Sequence, residues 1–369
     1  MRALALGATG TARVVGNIVS ASTVTLALDA MGGDHAPGIV VKGVALAHVR
    51  YPHTRFLLFG DEAKLKPLLA ADATAAKCCT IIHTTETVSP EAKPSQALRG
   101  GKQTSMWKAI EAVKNGEASG VVSAGNTGAL MAMSKLIMRP LPGIDRPAII
   151  SIIPTRKGET AMLDLGANVQ CDARNLVEFA IMGECFVRAM LGIERPTVGL
   201  LNIGSEDLKG TDTLREAAAR LRDATLDMEF HGFVEGDDIT KGTVDVVVTD
   251  GFTGNVALKT AEGTAKLYTE FLRNAVKTSW IAQFGMLFAK PVIMQVMART
   301  DPRRYNGALF LGVNGVTVKS HGGTDAVGFA NAVGVAVDMV ERDVNKQIAE
   351  QLARMTLVEE TRVTAVASE

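Results

Sequence analysis

Glycine, asparagine, aspartate, serine and lysine gather in five short clusters, each closing an apolar run: TLALDAMGGD (25–34), GVVSAGNTG (120–128), MLDLGAN (162–168), GLLNIGSEDLKG (199–210) and VVVTDGFTGN (246–255). These residue types supply backbone amides, neutral side-chain donors and one ammonium. Such a set binds and stabilises tetrahedral oxyanions. In SAGNTG a strand ends at Ser123, Gly125 and Gly128 let the backbone approach an anion, and Asn126 and Thr127 add donors; the ordinary alternative is a strand-to-helix turn with a polar cap. DGFTGN repeats the arrangement, with Asp250 ending a strand, Gly251 and Gly254 shaping the turn and Asn255 near the first helical turn. DAMGGDHAP sets Gly32 and Gly33 between Asp29, Asp34 and His35. Asp29 with Asp34 could hold a metal, although short acids at turns usually cap local amides. His35 and His321 (in SHGG) could act as acid or base, or as structural donors. Lys209, between Asp207 and Gly210 in the loop after a buried strand, is a loop cation suited to phosphate oxygens as a point charge, unless it pairs with Glu206 or Asp207. Arg99 and Lys102 flank a glycine pair before a helix. No GxSxG elbow, HExxH helix or phosphate-binding P-loop is present.

The elements that must position these groups follow from periodicity. From Val24 onward, apolar runs alternate with helical patterns, which predicts βαβ units and a largely parallel sheet between two helical layers. The fold class is therefore α/β, a three-layer α/β/α Rossmann-like sandwich. Buried parallel strands read as unbroken apolar runs, and ligands in open α/β sheets sit beyond the strands' carboxyl ends. All five clusters are expected to converge on one rim, with Asn168 among its wall residues. The segment 262–300 is helical throughout, with Gly285 and Pro291 as interruptions, and predicts a protruding hairpin of two helices. A helix is expected from about Asp325 to Leu352, with an unstructured tail after Leu357.

Composition limits the partners. Lys plus Arg equals Asp plus Glu at 39 each, and aromatics are 5% of 369 residues, so neither a basic field nor a base-stacking platform favours nucleic acid. Cys78, Cys79, Cys171 and Cys185 lack CxxC spacing, which suits a reduced cytosolic protein. No run of ~18 apolar residues is evident, so no membrane span is expected. Residues 1–22 read as an extension without regular structure, 23–352 as one domain and 353–369 as a tail. GATGTA at 7–12 superficially resembles a dinucleotide turn but lacks the preceding strand.

Together LDAMGGDHAP, SAGNTGALMA, DRPAI, LDLGAN, LLNIGSEDLKGTD, VVVTDGFTGNVALKTAEG and SHGG closely resemble the bacterial phosphate acyltransferase family, the acyl-carrier-protein:phosphate transacylases of phospholipid synthesis. The resemblance runs from about Val24 to Ile348 and departs at Asn306, where the family often has glycine. It implies a fold related to the isocitrate/isopropylmalate dehydrogenase-like group and a homodimer; no cofactor or metal is expected. It also implies the reaction: inorganic phosphate attacks the thioester of a long-chain acyl carrier protein, releasing acyl phosphate and thiol. Phosphate is already largely dianionic near neutrality, with a second pKa of about 6 in phosphoesters, and a thiol of pKa about 8.5 leaves readily, so no strong base is needed. Lys209 with the amides around Asn126 and Thr127 is assigned to phosphate, and Asn255 to the oxyanion.

Family members are peripheral membrane proteins, which implies a cytoplasmic enzyme resting on the inner face of the cell membrane. Trp280, Ile281, Phe284, Leu287 and Phe288 then read as a membrane tip at the hairpin turn, with core packing or a dimer interface as the bland reading. Lys277, Lys290, Arg299, Arg303 and Arg304 could attract anionic lipid or the acidic carrier. The product would pass to a downstream glycerol-3-phosphate acyltransferase. Three rivals stand beside this reading: a short-chain acyl-CoA phosphotransacylase, a metal-dependent hydroxyacid dehydrogenase, and a non-catalytic phosphate or lipid sensor.

Overall fold

Short apolar runs form strands here because alternate residues find a helical layer on each side of the sheet. Leu26 and Leu28 belong to the core layer shared with helices Gly38–Arg50, Ala173–Leu191 and Ala326–Glu341; Ala27, Val121 and Phe310 belong to the layer on the other face, with helices Ser105–Lys114 and Thr127–Met138. The computed structural model describes residues 23–224, 226–299 and 301–366. Within them one sheet holds β1 (Thr25–Asp29), β2 (Arg55–Gly60), β3 (Cys79–His83), β4 (Gly120–Ser123), β5 (Ala148–Pro154), β6 (Glu159–Leu163), β7 (Thr197–Leu201), β8 (Glu229–Val234), β9 (Val246–Val248), β10 (Ala308–Leu311) and β11 (Val316–Lys319). Their order is 3-2-1-4-11-10-5-6-9-7-8. The expected three-layer α/β sandwich is what forms. Residues 1–22, with the GATGTA segment, lie outside the described residues.

Most of the pairings are parallel, but the sheet changes direction in its middle. β10 runs antiparallel to both β11 and β5, and β5 runs antiparallel to β6. Consequently β1, β4 and β11 point one way, while β6, β9 and β7 point the other. The carboxyl ends of the two groups lie on opposite edges of the sheet.

The helical hairpin consists of Gly251–Lys277 and Trp280–Arg299. Its turn falls at Thr278 and Ser279. Gly285 and Pro291, expected as the interruptions, both lie inside the second helix, whose neighbouring turns carry it past the missing proline N–H. Trp280 and Ile281 therefore begin that helix, and Phe284, Leu287 and Phe288 continue along it, all exposed. The expectation that no segment could span a membrane also needs correcting: Trp280–Ala298 has mean hydropathy 1.4 over 19 residues and is entirely unburied, long and apolar enough to cross by length and composition. Toward the C-terminus, Ala326–Glu341 ends at Arg342 and Asp343, the latter with φ 50°, and a separate helix Val344–Val366 follows. The segment after Leu357, expected to be an unstructured tail, continues that helix.

The start of the hairpin is the tightest junction. A Cβ at Gly254 would lie 1.9 Å from the Asp164 carbonyl oxygen, whereas one at Gly263 on the same helix meets nothing within 4 Å. Gly254→Ala should therefore lose about 3 kcal/mol or more, while Gly263→Ala should gain about 0.5–1 kcal/mol from helix propensity. Urea unfolding of the two variants checks this; a neutral Gly254→Ala would contradict the packing described.

Candidate active site

One rim is built on Asp29, at the end of β1 and 1% exposed. Its carboxylate accepts from Ser105 Oγ (2.6 Å), Ser123 Oγ (2.7 Å) and the Met31 amide (3.3 Å), tying β1, β4 and the start of helix Ser105–Lys114 together. Burial pushes its pKa up, and the hydroxyl and amide donors hold it back. Asp29 thus serves as an internal acceptor. Gly32 and Gly33 are required by close approach: a Cβ at Gly32 would lie 2.4 Å from Asp29 Oδ2 and 2.7 Å from the Gly125 amide, and Gly33 has φ +103° with its Cβ position 2.9 Å from Ala124. Asp34 donates its amide to Gly322 O (3.0 Å), which closes the SHGG turn against the same rim.

At the SAGNTG turn the structure corrects one role. Asn126 caps helix Thr127–Met138 by accepting from the Ala129 amide (2.9 Å), and its Nδ2 donates to Pro90 O (2.7 Å) and Ala92 O (3.0 Å). Its amide is spent on anchoring the 90–92 loop and offers a ligand no donor. The amides of Thr127 and Gly128, the orphans of the first helical turn, remain without an acceptor among the described residues. Ser123 is likewise committed, donating to Asp29 and accepting from the Gly125 amide (3.0 Å). His35 and Arg99 are exposed, Arg99 in the last turn of helix Pro94–Gly100. His321 Nδ1 accepts from the Gly323 amide (3.2 Å).

The second rim is built on Asp164, immediately after β6. Oδ1 accepts from the amides of Ile149 (2.9 Å), Gly166 (3.2 Å) and Ala167 (3.0 Å); Oδ2 accepts from the Asn168 amide (2.7 Å) and Asn168 Nδ2 (3.0 Å). Burial raises its pKa and those backbone donors oppose the rise. Asn168 O in turn accepts from the Gly251 amide (2.7 Å), so the LDLGAN loop seats the hairpin's first helix. Asp250 caps that helix through the Thr253 amide (2.9 Å) and hydroxyl (2.7 Å). Asn255, one turn in, is exposed beside Gly166 and has no side-chain bond among the described residues.

Next to it, β7 leads into the loop carrying Lys209. Asn202 closes this loop, donating from Nδ2 to Lys209 O (3.2 Å) and accepting from the Ile203 amide (2.9 Å). Gly210 needs its φ of +82° and its bare Cα because Asn202 Oδ1 lies 2.2 Å from where a Cβ would stand. Gly204 is buried against Glu206 and the Lys209 stem. Of the two expected competitors for Lys209, Asp207 pairs with Arg222 and Glu206 makes no ion pair with it among the described residues. Among the described residues the Lys209 ammonium has no acid partner. β9 and β7 are neighbours, so Asn255 and Lys209 rise from adjacent strand ends.

The clusters thus make two rims. Asp29, Gly32, Gly33, Ser123 and the Gly125–Gly128 turn share one edge; Asn168, Gly204, Lys209, Asp250, Gly254 and Asn255 share the opposite edge, with β11, β10 and β5 between the two groups. The single converging rim expected from the sequence is corrected: convergence holds only when strands run in one direction, and the antiparallel joins at β10 and β5 break that condition. Two residues escaped sequence reasoning. Asp164 was visible only as the acid inside LDLGAN, and Lys319 only as a charge ending the buried VTVK strand. Of the cations expected near the hairpin, Arg303 lies beyond its second helix and is committed to Asp301 (2.7 Å) and Asp325 (3.1 Å).

This fold is that of the phosphotransacylases: a phosphotransacetylase from Streptococcus pyogenes superposes with TM-score 0.59 at 16% identity, and the EutD phosphotransacetylase from Staphylococcus aureus with 0.57 at 15%, each over 86% of this chain and 94% of the other. At such identities the likeness is one of fold. The chain itself belongs to the family described as "Fatty acid synthesis protein", whose family model matches residues 24–347. It is 62% identical over 340 residues to a protein named phosphate acyltransferase from Rhodospirillum rubrum, covering 92% of this chain and 97% of that one. A protein of the same name from Paramagnetospirillum magneticum is 63% identical over 334 residues, covering 90% and 95%.

Removing the Asp164 carboxylate strands several buried amides at once. Asp164→Ala should cost about 3 kcal/mol in urea unfolding, since each orphaned buried donor costs about 1–3 kcal/mol. A loss below about 1 kcal/mol would show that the loop does not depend on this acceptor.

Proposed function

We propose that this phosphate acyltransferase joins inorganic phosphate to the acyl group of a long-chain acyl carrier protein, giving acyl phosphate and the free carrier thiol for phospholipid synthesis. The observation that carries the reading is the pairing, on adjacent strand ends, of an unpaired ammonium at Lys209 with an uncommitted amide at Asn255. Phosphate needs no deprotonation to attack and the thiolate leaves unaided. The chain's task is to hold the two reactants together and meet the charge that develops on the thioester oxygen. Lys209 holds a phosphate oxygen, and Asn255 donates to the tetrahedral oxyanion.

The other anion-binding amides, at Thr127 and Gly128, lie on the opposite edge, so we assign the working site to a homodimer. An isologous dimer that sets one rim of a protomer against the other rim of its partner creates two equivalent composite sites. Exposed apolar residues surround the Lys209 rim, among them Val169, Ile203, Leu208 and Phe252, and suit cover by a second copy. The hairpin's unburied second helix, with Lys277 and Lys290 nearby, suits contact with an anionic bilayer, where a poorly soluble acyl phosphate is delivered. The protein thus works in the cytoplasm at the membrane's inner face, handing its product to a glycerol-3-phosphate acyltransferase.

Thiol release from palmitoyl carrier protein, with phosphate omitted as control, tests the reaction. Wild-type protein should release thiol only with phosphate, and Lys209→Ala or Asn255→Ala should each lower turnover on the order of a hundredfold. Success with short acyl-CoA but not with carrier protein would favour the short-chain reading, and near-normal turnover in both folded variants would place the site elsewhere. Flotation with anionic vesicles tests the hairpin: Trp280→Asp combined with Phe284→Asp should abolish binding, and undiminished flotation would sink the membrane contact.

A further inference from the structure

The Asp29 rim contains a cation that none of the roles above uses. Lys319 ends β11, in register with Ser123 of β4 on one side and Ala308 of β10 on the other. Its Nζ donates to Ser320 O and, at 3.4 Å, to Ala124 O, the carbonyl just before the Gly125–Gly128 turn. An ammonium has three N–H groups, so one remains uncommitted among the described residues. The backbone around it is fixed: Asn306 Nδ2 donates to Ser320 Oγ (2.8 Å) and Gly328 O (2.7 Å), and its Oδ1 accepts from the His321 amide (2.8 Å). The charged groups acting on Lys319 are Asp29 of β1 and Asp34 of the following turn, while β4 and β10 present uncharged residues opposite it. Asp29 accepts from its own three donors and makes no hydrogen bond to Lys319.

A mostly buried lysine held by two carbonyls and facing no bonded carboxylate is an electrostatic cost that an anion would relieve. We propose that Lys319 is a phosphate-binding residue of the Asp29 rim, its remaining N–H donating to a phosphate oxygen held by the Thr127 and Gly128 amides. This deepens the phosphate-transfer reading and rests on it. Across the dimer proposed above, phosphate then has one cation from each rim, Lys319 beside the amides of one protomer and Lys209 of the partner subunit. Burial independently lowers the Lys319 pKa to about 8, opposed by Asp29 and Asp34. The ammonium is therefore charged below that pH and neutral above it, and affinity for the dianion should fall as the pH rises past about 8.

Calorimetric titration of the full chain with inorganic phosphate from pH 7 to 9.5, alongside steady-state thiol release, tests this. Lys319→Met should weaken phosphate Kd and raise phosphate KM roughly tenfold or more, the loss of one charge-assisted bond, with carrier-protein KM within about twofold. Lys319→Arg, whose guanidinium stays charged, should bind phosphate without the alkaline fall seen in the wild type. A folded Lys319→Met with unchanged phosphate Kd overturns the proposal, as does an alkaline fall that persists in Lys319→Arg; if Lys319→Met does not fold, the arginine profile decides. Wild-type protein that binds phosphate in this pH-dependent way yet releases no thiol would sink the transferase reading while leaving the Lys319 site standing.

Discussion

A sheet that reverses direction halfway cannot gather all its strand ends at one place. β10 and β5 impose this constraint, and the two groups of strand ends are arranged on either side of it. Each half behaves as an ordinary parallel α/β unit whose turns open beyond the carboxyl ends of its strands. Because the halves point oppositely, the chain carries two such openings. One is rich in backbone amides and holds Lys319; the other presents Lys209 and Asn255. In the function proposed, neither alone has both a full anion cradle and an oxyanion donor.

Each opening hangs on one buried aspartate, and the two solve the same problem with different donors. Asp29 collects two serine hydroxyls from different elements, so it fastens strands and helix to each other. Asp164 collects mostly amides from its own following loop, so it folds that loop back and seats the hairpin's first helix. In both cases burial raises the carboxyl's pKa and hydrogen bonds oppose that rise. Fully satisfied polar groups of this kind fix a unique backbone, which is what a site made of amides requires. The glycines follow from the same tightness: Gly32 and Gly254 stand where another group lies too close for a side chain.

The sequence made the layers, the strands and the βα turns legible, because unbroken apolar runs such as VVV at 246–248 have few other uses. It placed Lys209 and Asn255 after buried strands, and the structure sets those strands, β7 and β9, side by side. Strand direction was not legible, since ALFL and VTVK read alike whichever way they run, and direction is settled by long-range pairing. Nor was the true hairpin turn: Thr278 and Ser279 carry a weaker breaking signal than Gly285 and Pro291, yet a proline in an exposed helix costs one hydrogen bond and does not have to end it. Asn126 read as a ligand donor because its partners, the carbonyls of Pro90 and Ala92, lie more than thirty residues away in the chain.

The central claim is that the two rims act on one substrate pair across a dimer. Co-expression of Lys209→Ala, which disables one rim, with Thr127→Glu, which places a repelling carboxylate on the other, measures it directly. Each variant alone should be nearly inactive. With random pairing about half the dimers are mixed, and each mixed dimer has one intact composite site, so thiol release should recover to about a quarter of the wild-type level. Native mass spectrometry that finds mixed dimers without any recovery, or full activity in Thr127→Glu alone, would contradict the account.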